Sequence, residues 1–478
     1  MTRTIVAGLL LSVGTAFAGA TVVETRIALN TYPFSDADPV PATDKPMYPY
    51  FRFDGQSATG ATQEWRAVVL ENARIRVTAL PGVGGKVWGA LDKKTGREFI
   101  YFNHAVKFRN IAMRGPWTSG GIELNFGILG HSPVTATPVD YATRENSDGS
   151  VSYFAAATEY ICRTFWQVEV RLGPDDDFFT THVTWFNGSP VSAPYYTWMT
   201  GAYKASGEPA FYFPGADWIG HDGARHAWPV DEKGRDISEY AASAFGGSRS
   251  FHVINGDTRF FGIWWPKDGY GSYHENLAGE KFGRKIFFWA HSRQGGIWED
   301  LLTDTDGQYI ELQSGRGFQQ PNTTTWKTPF KHPTFAPGAT DRYVEKWGVA
   351  HDLQAFERHM AAKDQPAARP REMPADFDWS SAYGLYMKGQ QALRERNDAE
   401  GRAALEASIA TNAHFAPALT CLASHEYERG HDGRAAELAA RALALDSYDP
   451  EANYVAGLVA AAAGDTHTRK RWREVDEG

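Results

Sequence analysis

Gly307-Gln-Tyr-Ile-Glu-Leu-Gln-Ser314 alternates along its length, with Ile310 and Leu312 on one side and Tyr309, Glu311 and Gln313 on the other. A period of two marks a β-strand with one apolar and one polar face. The run from Arg284 to His291 repeats the pattern: Lys285, Phe287, Trp289 and His291 share a face opposite Ile286, Phe288 and Ala290. Gln167 to Leu172 and Phe178 to Phe186 behave alike, and turn clusters such as Asn146-Ser-Asp-Gly149 and Gly173-Pro-Asp-Asp-Asp177 separate the runs. Many short strands across residues 21–355, with no βαβ rhythm, predict one large antiparallel β-sandwich and a mainly β fold class.

Within this region Arg114-Gly-Pro-Trp-Thr-Ser-Gly-Gly-Ile-Glu-Leu-Asn-Phe-Gly-Ile-Leu-Gly-His131 gathers a guanidinium, an indole, a carboxylate, an amide and an imidazole among glycines. Glycines let backbone approach a ligand closely, and aromatic rings offer flat apolar platforms. The mixture fits a wet, partly apolar cleft for a ligand rich in hydroxyls, a sugar first of all. Its alternative is a Gly-rich loop whose Arg and Glu pair with each other.

The 478 residues suffice for two or three domains with real cores. A formal charge of -9 argues against nucleic acid or an anionic membrane as partner. Arg3, the apolar run Ile5 to Val13 and Ala16-Phe-Ala18 read as a signal peptide over residues 1–20, so an exported protein, periplasmic or secreted, is expected. No other stretch is apolar enough to span a membrane. The 2 cysteines, Cys162 and Cys421, fall in different predicted domains and form neither a disulfide framework nor a zinc site.

Composition changes after residue 355. Residues 356–378 include Asp364-Gln-Pro-Ala-Ala-Arg-Pro-Arg-Glu-Met-Pro374 and read as a Pro-rich linker. Residues 379–475 are Ala-rich with a period of 34: Leu385, Leu419 and Asn453 correspond, as do Gly389, Ala423 and Gly457. Gly430 and Gly464 take the turn position between paired helices. This resembles tetratricopeptide repeats, about two and a closing helix, and implies an all-α C-terminal domain with a possible protein partner.

Further motifs carry a second resemblance. Leu80-Pro-Gly-Val-Gly-Gly-Lys-Val-Trp-Gly-Ala-Leu-Asp-Lys-Lys-Thr-Gly-Arg-Glu-Phe-Ile-Tyr101 is similar to the opening of galactose-mutarotase-like supersandwich domains. With Gly120-Gly-Ile-Glu-Leu-Asn125, Pro138-Val-Asp-Tyr141, Asp217-Trp218 and Tyr309-Ile-Glu-Leu-Gln313, residues 40–350 resemble the bacterial family catalogued as domain of unknown function 5107, commonly followed by tetratricopeptide repeats. The resemblance implies a galactose-mutarotase-like antiparallel β-supersandwich and a carbohydrate substrate, with no established reaction. The Asn-His-x-Tyr-Phe-Asn signature of aldose epimerases is absent; Tyr101-Phe-Asn-His104 holds similar residues in another order.

Glu311 is the first catalytic candidate, because the resemblance puts its polar face on the concave side and its motif where mutarotase-like enzymes hold their base. Glu123 is the second, with Arg114 and His131 as neighbours able to tune it. Paired carboxylates are the usual apparatus of glycoside hydrolysis. Substrate-binding candidates are Arg114, Trp117, Asn125, His131, Asp217, Trp218, His221, Trp298, Glu299, Tyr309 and Gln313; Trp265, Trp289, His274 and Asp300 are further candidates. No metal-ligand spacing, phosphate loop or dinucleotide fingerprint occurs, so neither metal nor cofactor is expected. The expected function is an exported glycoside hydrolase. Open alternatives are a sugar epimerase or mutarotase, a polysaccharide lyase, and a non-catalytic glycan-binding or scaffold protein acting through its repeats.

Overall fold

The computed structural model describes residues 19–33 and 57–464 apart from 113–114, 128–130, 160, 222, 244, 246–247, 257–258, 277–280, 282, 290, 318–333, 362–375 and 396. The apolar run of the expected signal, Arg114 and residues 364–374 lie outside this set. The chain divides into two compact units, Met1–Ala367 and Ala368–Gly478.

The first unit is built from two large sheets. The larger has 13 strands, and its middle runs Arg249–Ile254, Gly283–Phe288, Tyr309–Gly315, Tyr196–Lys204, Ile122–Gly127, Val87–Asp92. The smaller has 8, with Phe165–Leu172, Phe178–Phe186, Thr340–Ala350 and Tyr270–Asn276 at its centre. All described pairs within the two sheets are antiparallel except Thr21–Tyr32 with Ala105–Lys107. Between the sheets pack Ile122, Leu124, Ile286, Phe288, Ile310 and Leu312 from one side, and Val168, Val170, Phe179, Val183 and Trp347 from the other. This is the supersandwich that the alternation and the motifs led us to expect.

The sheets differ in what their second faces meet. Phe178–Phe186 alternates buried and half-buried residues along most of its length, as a strand with one wet face does. Ile122–Gly127 and Tyr309–Gly315 are buried throughout. The polar face of the larger sheet is therefore enclosed at its centre, and its carboxylates and amides have lost bulk water. Such groups are costly unless partnered or used.

Local sequence explains the approach to that face. Gly121 has φ +65° and lets the Glu123 strand pass against its neighbour; a Cβ there would stand 2.1 Å from the Val87 carbonyl oxygen. The segment Gly295-Gly-Ile-Trp-Glu-Asp300, which carries the candidates Trp298, Glu299 and Asp300, lies on a helix, Arg293–Leu302. Its glycines fall near the start, and Leu302, Leu301 and Trp298 pack into an aromatic cluster with Tyr101, Trp117, Trp289 and Tyr309. Packing of that apolar side outweighs the glycine penalty. The linker expected from residue 356 begins inside another helix, Leu353–Ala361, whose Phe356 packs on Phe260 and Trp264.

The second unit is helical. Helices start at Ala382, Ala416 and Pro450, and their partners at Asp398 and Asp432, so the period of 34 is the repeat of helical pairs with one closing helix. Ser381, Asn397 and Asp449 cap three of the five by accepting hydrogen bonds from backbone N–H groups. Gly430 and Gly464 sit at φ +76° and +75° just past helix ends, where a left-handed residue closes the turn. Leu405, Leu419, Leu422, Leu438 and Val455 form the core of this unit.

Candidate functional site

The site follows from strand register. Glu123 pairs with Thr200, Thr200 with Gln313, Gln313 with Lys285 and Lys285 with His252, so five polar residues stand in one row across five strands. Their cross-strand neighbours two residues on are Ala202, Glu311, Phe287 and Ser250. Because paired residues share a face, all nine lie opposite the core. Glu123, Thr200, Gln313, Lys285, His252 and Glu311 are all buried.

Glu123 is held from two directions. His131 Nδ1 lies 2.8 and 2.9 Å from its two carboxylate oxygens, and the Trp117 indole N–H donates to Oε2 at 3.1 Å. Burial pushes the Glu123 carboxyl up; the facing His131 charge and hydrogen bond, then Lys86 and Trp117, outweigh it and leave the carboxyl below its usual range. Burial likewise disfavours His131 charge, but Glu123, with a smaller share from Glu311, raises the imidazole pKa. The His131 side chain is 30% exposed, against 3% for Glu123, so it is the accessible member of the pair.

Glu311 accepts a hydrogen bond from Gln313 Nε2 at 2.8 Å and a long one, 3.4 Å, from the Tyr309 hydroxyl. Burial is the largest influence on it and raises its pKa; His131 pulls the other way, Glu123 adds to the rise, and the balance is upward. Glu123 pairs with Thr200 and Glu311 with Ala202 on the strand between them. Two strand spacings and two residues set their Cα atoms about 12 Å apart, at about 4.8 Å per strand and about 3.4 Å per residue. The sheet thus carries an ionised carboxylate and a carboxyl biased towards its protonated form on one face.

Two buried lysines complete the electrostatics. Lys86 Nζ donates to the Thr118 carbonyl at 3.0 Å, and Lys285 Nζ sits 5.0 Å from the Trp198 ring centre. Burial lowers both to about 8, partly countered by the two glutamates. His252 is pushed well below its usual value by burial, Lys285 and His221.

The structure brings together Glu123, Glu311, Trp117, His131, Tyr309 and Gln313. Asn125 lies on the same face and fixes the His131 loop, its Oδ1 accepting from the Ser132 N–H at 2.9 Å. His221 meets the basic end of the row, with Nε2 2.9 Å from Ser250 Oγ and its ring 5.3 Å from His252. Trp298 and Glu299 flank the aromatic cluster from their helix.

Other candidates go elsewhere. Trp218 pairs with Val253 and packs in the core between the sheets, while Asp217 binds Arg225 and Asn255 near the sheet edge. Trp265 is core, and His274 is buried against Glu345 at 2.7 Å. His104 is exposed and pairs with Asp306, so Tyr101–His104 adds no imidazole to the cluster around Glu123 and Glu311. No group of metal-binding side chains occurs among the described residues. Lys86, Thr200, Trp198 and His252 were missed. The signal for Lys285 was its alternation with aromatic residues, which put a lysine on an enclosed face.

A family model described as domain of unknown function (DUF5107) matches residues 42–349. The chain belongs to this family. A solved TPR-domain-containing protein from Parabacteroides distasonis is similar over both units: 19% identity, 96% of this chain, 87% of that one, TM-score 0.62. That likeness supports the two-part fold of this DUF5107 protein. Galactose mutarotase-like proteins from Clostridium acetobutylicum and Lactobacillus casei are more distant. They match at 11% and 12% identity with TM-scores of 0.43 and 0.41, covering 60% and 59% of this chain and 96% and 99% of theirs.

Proposed function

We propose that this protein acts on carbohydrate and hydrolyses a glycosidic bond with Glu311 as general acid and Glu123 as general base. The observation that carries the reading is the pair itself: two buried carboxyls on one sheet face, one pushed up and one pushed down. Protonated Glu311 would give its proton to the departing glycosidic oxygen. Ionised Glu123 would take a proton from the attacking water, with His131 and Trp117 holding its orientation. Trp117, Trp289 and Tyr309 offer ring faces for sugar C–H groups, while Gln313, Thr200 and Asn125 supply hydrogen bonds.

The test is incubation of purified protein with a panel of oligosaccharides and polysaccharides, followed by mass spectrometry and proton NMR. Smaller glycans that disappear with Glu311→Gln support hydrolysis; intact glycans across the panel refute it.

A second reading rests on His131, whose Nε2 has no hydrogen-bond partner among the described residues and whose pKa is raised. With Glu311 as base and His131 as acid, the same face would exchange anomers without cleavage. Faster anomer interconversion on intact sugars would select it. In either reading we take the chain to be exported, which N-terminal sequencing of the mature protein would test at Ala18 and Ala20. The helical repeats would serve a protein partner; co-purification that survives loss of residues 379–475 would contradict this.

A further inference from the structure

Among the described residues, the other buried lysines of the first unit each have a direct polar partner: Lys86 donates to the Thr118 carbonyl at 3.0 Å. Lys281 has Glu345 at 2.7 Å, and Lys107 has Asp304 at 2.7 Å. Lys285 departs from this habit. It is 7% exposed, it rests over the Trp198 ring, and no hydrogen bond or ion pair to its Nζ occurs among the described residues. Its two acidic neighbours are already engaged, Glu311 with Gln313 and Tyr309, and Glu123 with His131 and Trp117.

The row of side chains is also graded. It begins at Glu123, passes the neutral Thr200 and Gln313, and ends at Lys285 and His252, with His221 and Ser250 beyond. Around Glu123 and Glu311 stand Lys86, Lys285 and His131, so three groups able to carry positive charge surround two able to carry negative. An ammonium withdrawn from water without an anion is poorly stabilised.

We propose that the Lys285 end of the row binds the anionic substituent of an acidic sugar, a carboxylate or a sulfate ester, next to the Glu123–Glu311 pair. This rests on the carbohydrate reading and names its substrate class. Lys285 acts as a point charge for the anion, the Trp198 ring fixes the direction of its stem, and Ser250 and His221 at the same end offer polar contacts. Sugar hydroxyls then fall over Gln313 and Thr200, and the reacting bond lies towards the glutamates.

The test is calorimetric binding of galacturonate trisaccharides, 6-sulfated galactose trisaccharides and neutral galactose trisaccharides of the same linkage. The full-length protein and its Lys285→Gln and Lys285→Arg variants are compared at low salt. The wild type should bind one acidic series about 10- to 100-fold more tightly than the neutral one, the gain expected of a charge-assisted contact. Whichever acidic series wins identifies carboxylate or sulfate. Lys285→Gln should erase the preference and Lys285→Arg retain most of it, with melting curves confirming that both variants fold. Equal wild-type affinity for acidic and neutral sugars would overturn the proposal while leaving the carbohydrate reading intact. So would a preference that survives in Lys285→Gln. Binding of none of the three series by the wild type would overturn both.

Discussion

His131 and Glu123 form one unit: a single imidazole nitrogen lies within 2.9 Å of both oxygens of a buried carboxylate. The contact comes from local sequence. Glu123 is fixed mid-strand by its pairing with Thr200, and the residue after His131, Ser132, donates its N–H to Asn125 on the same strand. The pairing keeps Glu123 ionised and leaves Glu311, two strands away, as the carboxyl that burial can raise.

Replacing Glu311 by Gln keeps the shape and the Gln313 contact but removes the transferable proton. On the proposed mechanism kcat falls by about 10²- to 10⁴-fold, the usual range for a general acid or base. Glu123→Gln falls by a similar factor, and the double variant loses little more than either single one, since the two act in one step. Steady-state rates on the cleaved glycan would check this; fully additive losses would contradict a joint role.

His131→Phe removes the strongest counterweight to burial at Glu123. Its carboxyl should rise, the usual effect of losing a close opposite charge. The acidic limb of the kcat/KM profile should move upward with it. An unmoved limb, measured with the same substrate, would detach His131 from the titration of Glu123.

Glu345 tests the electrostatics of the core. Burial alone would raise its carboxyl, yet Lys281 and His274, each at 2.7 Å, hold it down at about 2. A depressed carboxylate contributes stability above its unfolded pKa and loses it as pH falls towards the folded value. Glu345→Gln should therefore cost about 3–5 kcal/mol near neutral pH, as removal of one partner from a buried pair does. The difference from wild type should shrink between about pH 4.5 and pH 2. Urea unfolding at several pH values would show it, and a pH-independent difference would exclude this origin.

Gly121→Ala places a methyl against the Val87 carbonyl oxygen and strains a backbone at φ +65°. The strained conformation alone costs about 1–3 kcal/mol, and the clash adds to it. A melting temperature equal to wild type would mean that the Glu123 strand can shift away from Val87.

Much of this arrangement was legible in the sequence. Tyr309 to Gln313 gave away a strand and its polar face because alternation is a direct image of pleat geometry. The helices at Ala382, Ala416 and Pro450 were legible because repeats must reproduce their packing residues at a fixed interval. Trp218 was misread because Asp217-Trp218-Ile219 is too short to reveal which face meets the core. The helix at Arg293 was hidden by Gly295-Gly296, since its stability comes from Trp298, Leu301 and Leu302 packing on residues distant in sequence. Lys285 was placed on the right strand face, but its significance depends on enclosure, and enclosure is a property of the whole sheet.

The most direct test is a carbon-13 NMR titration of the glutamate side-chain carboxyls, with Glu123→Gln and Glu311→Gln to assign the two signals. The account predicts that the Glu123 signal titrates below the ordinary glutamate range and the Glu311 signal above it, and that each shifts when the other is replaced. Two signals titrating together in the ordinary range would contradict the division of labour on which the proposed chemistry stands.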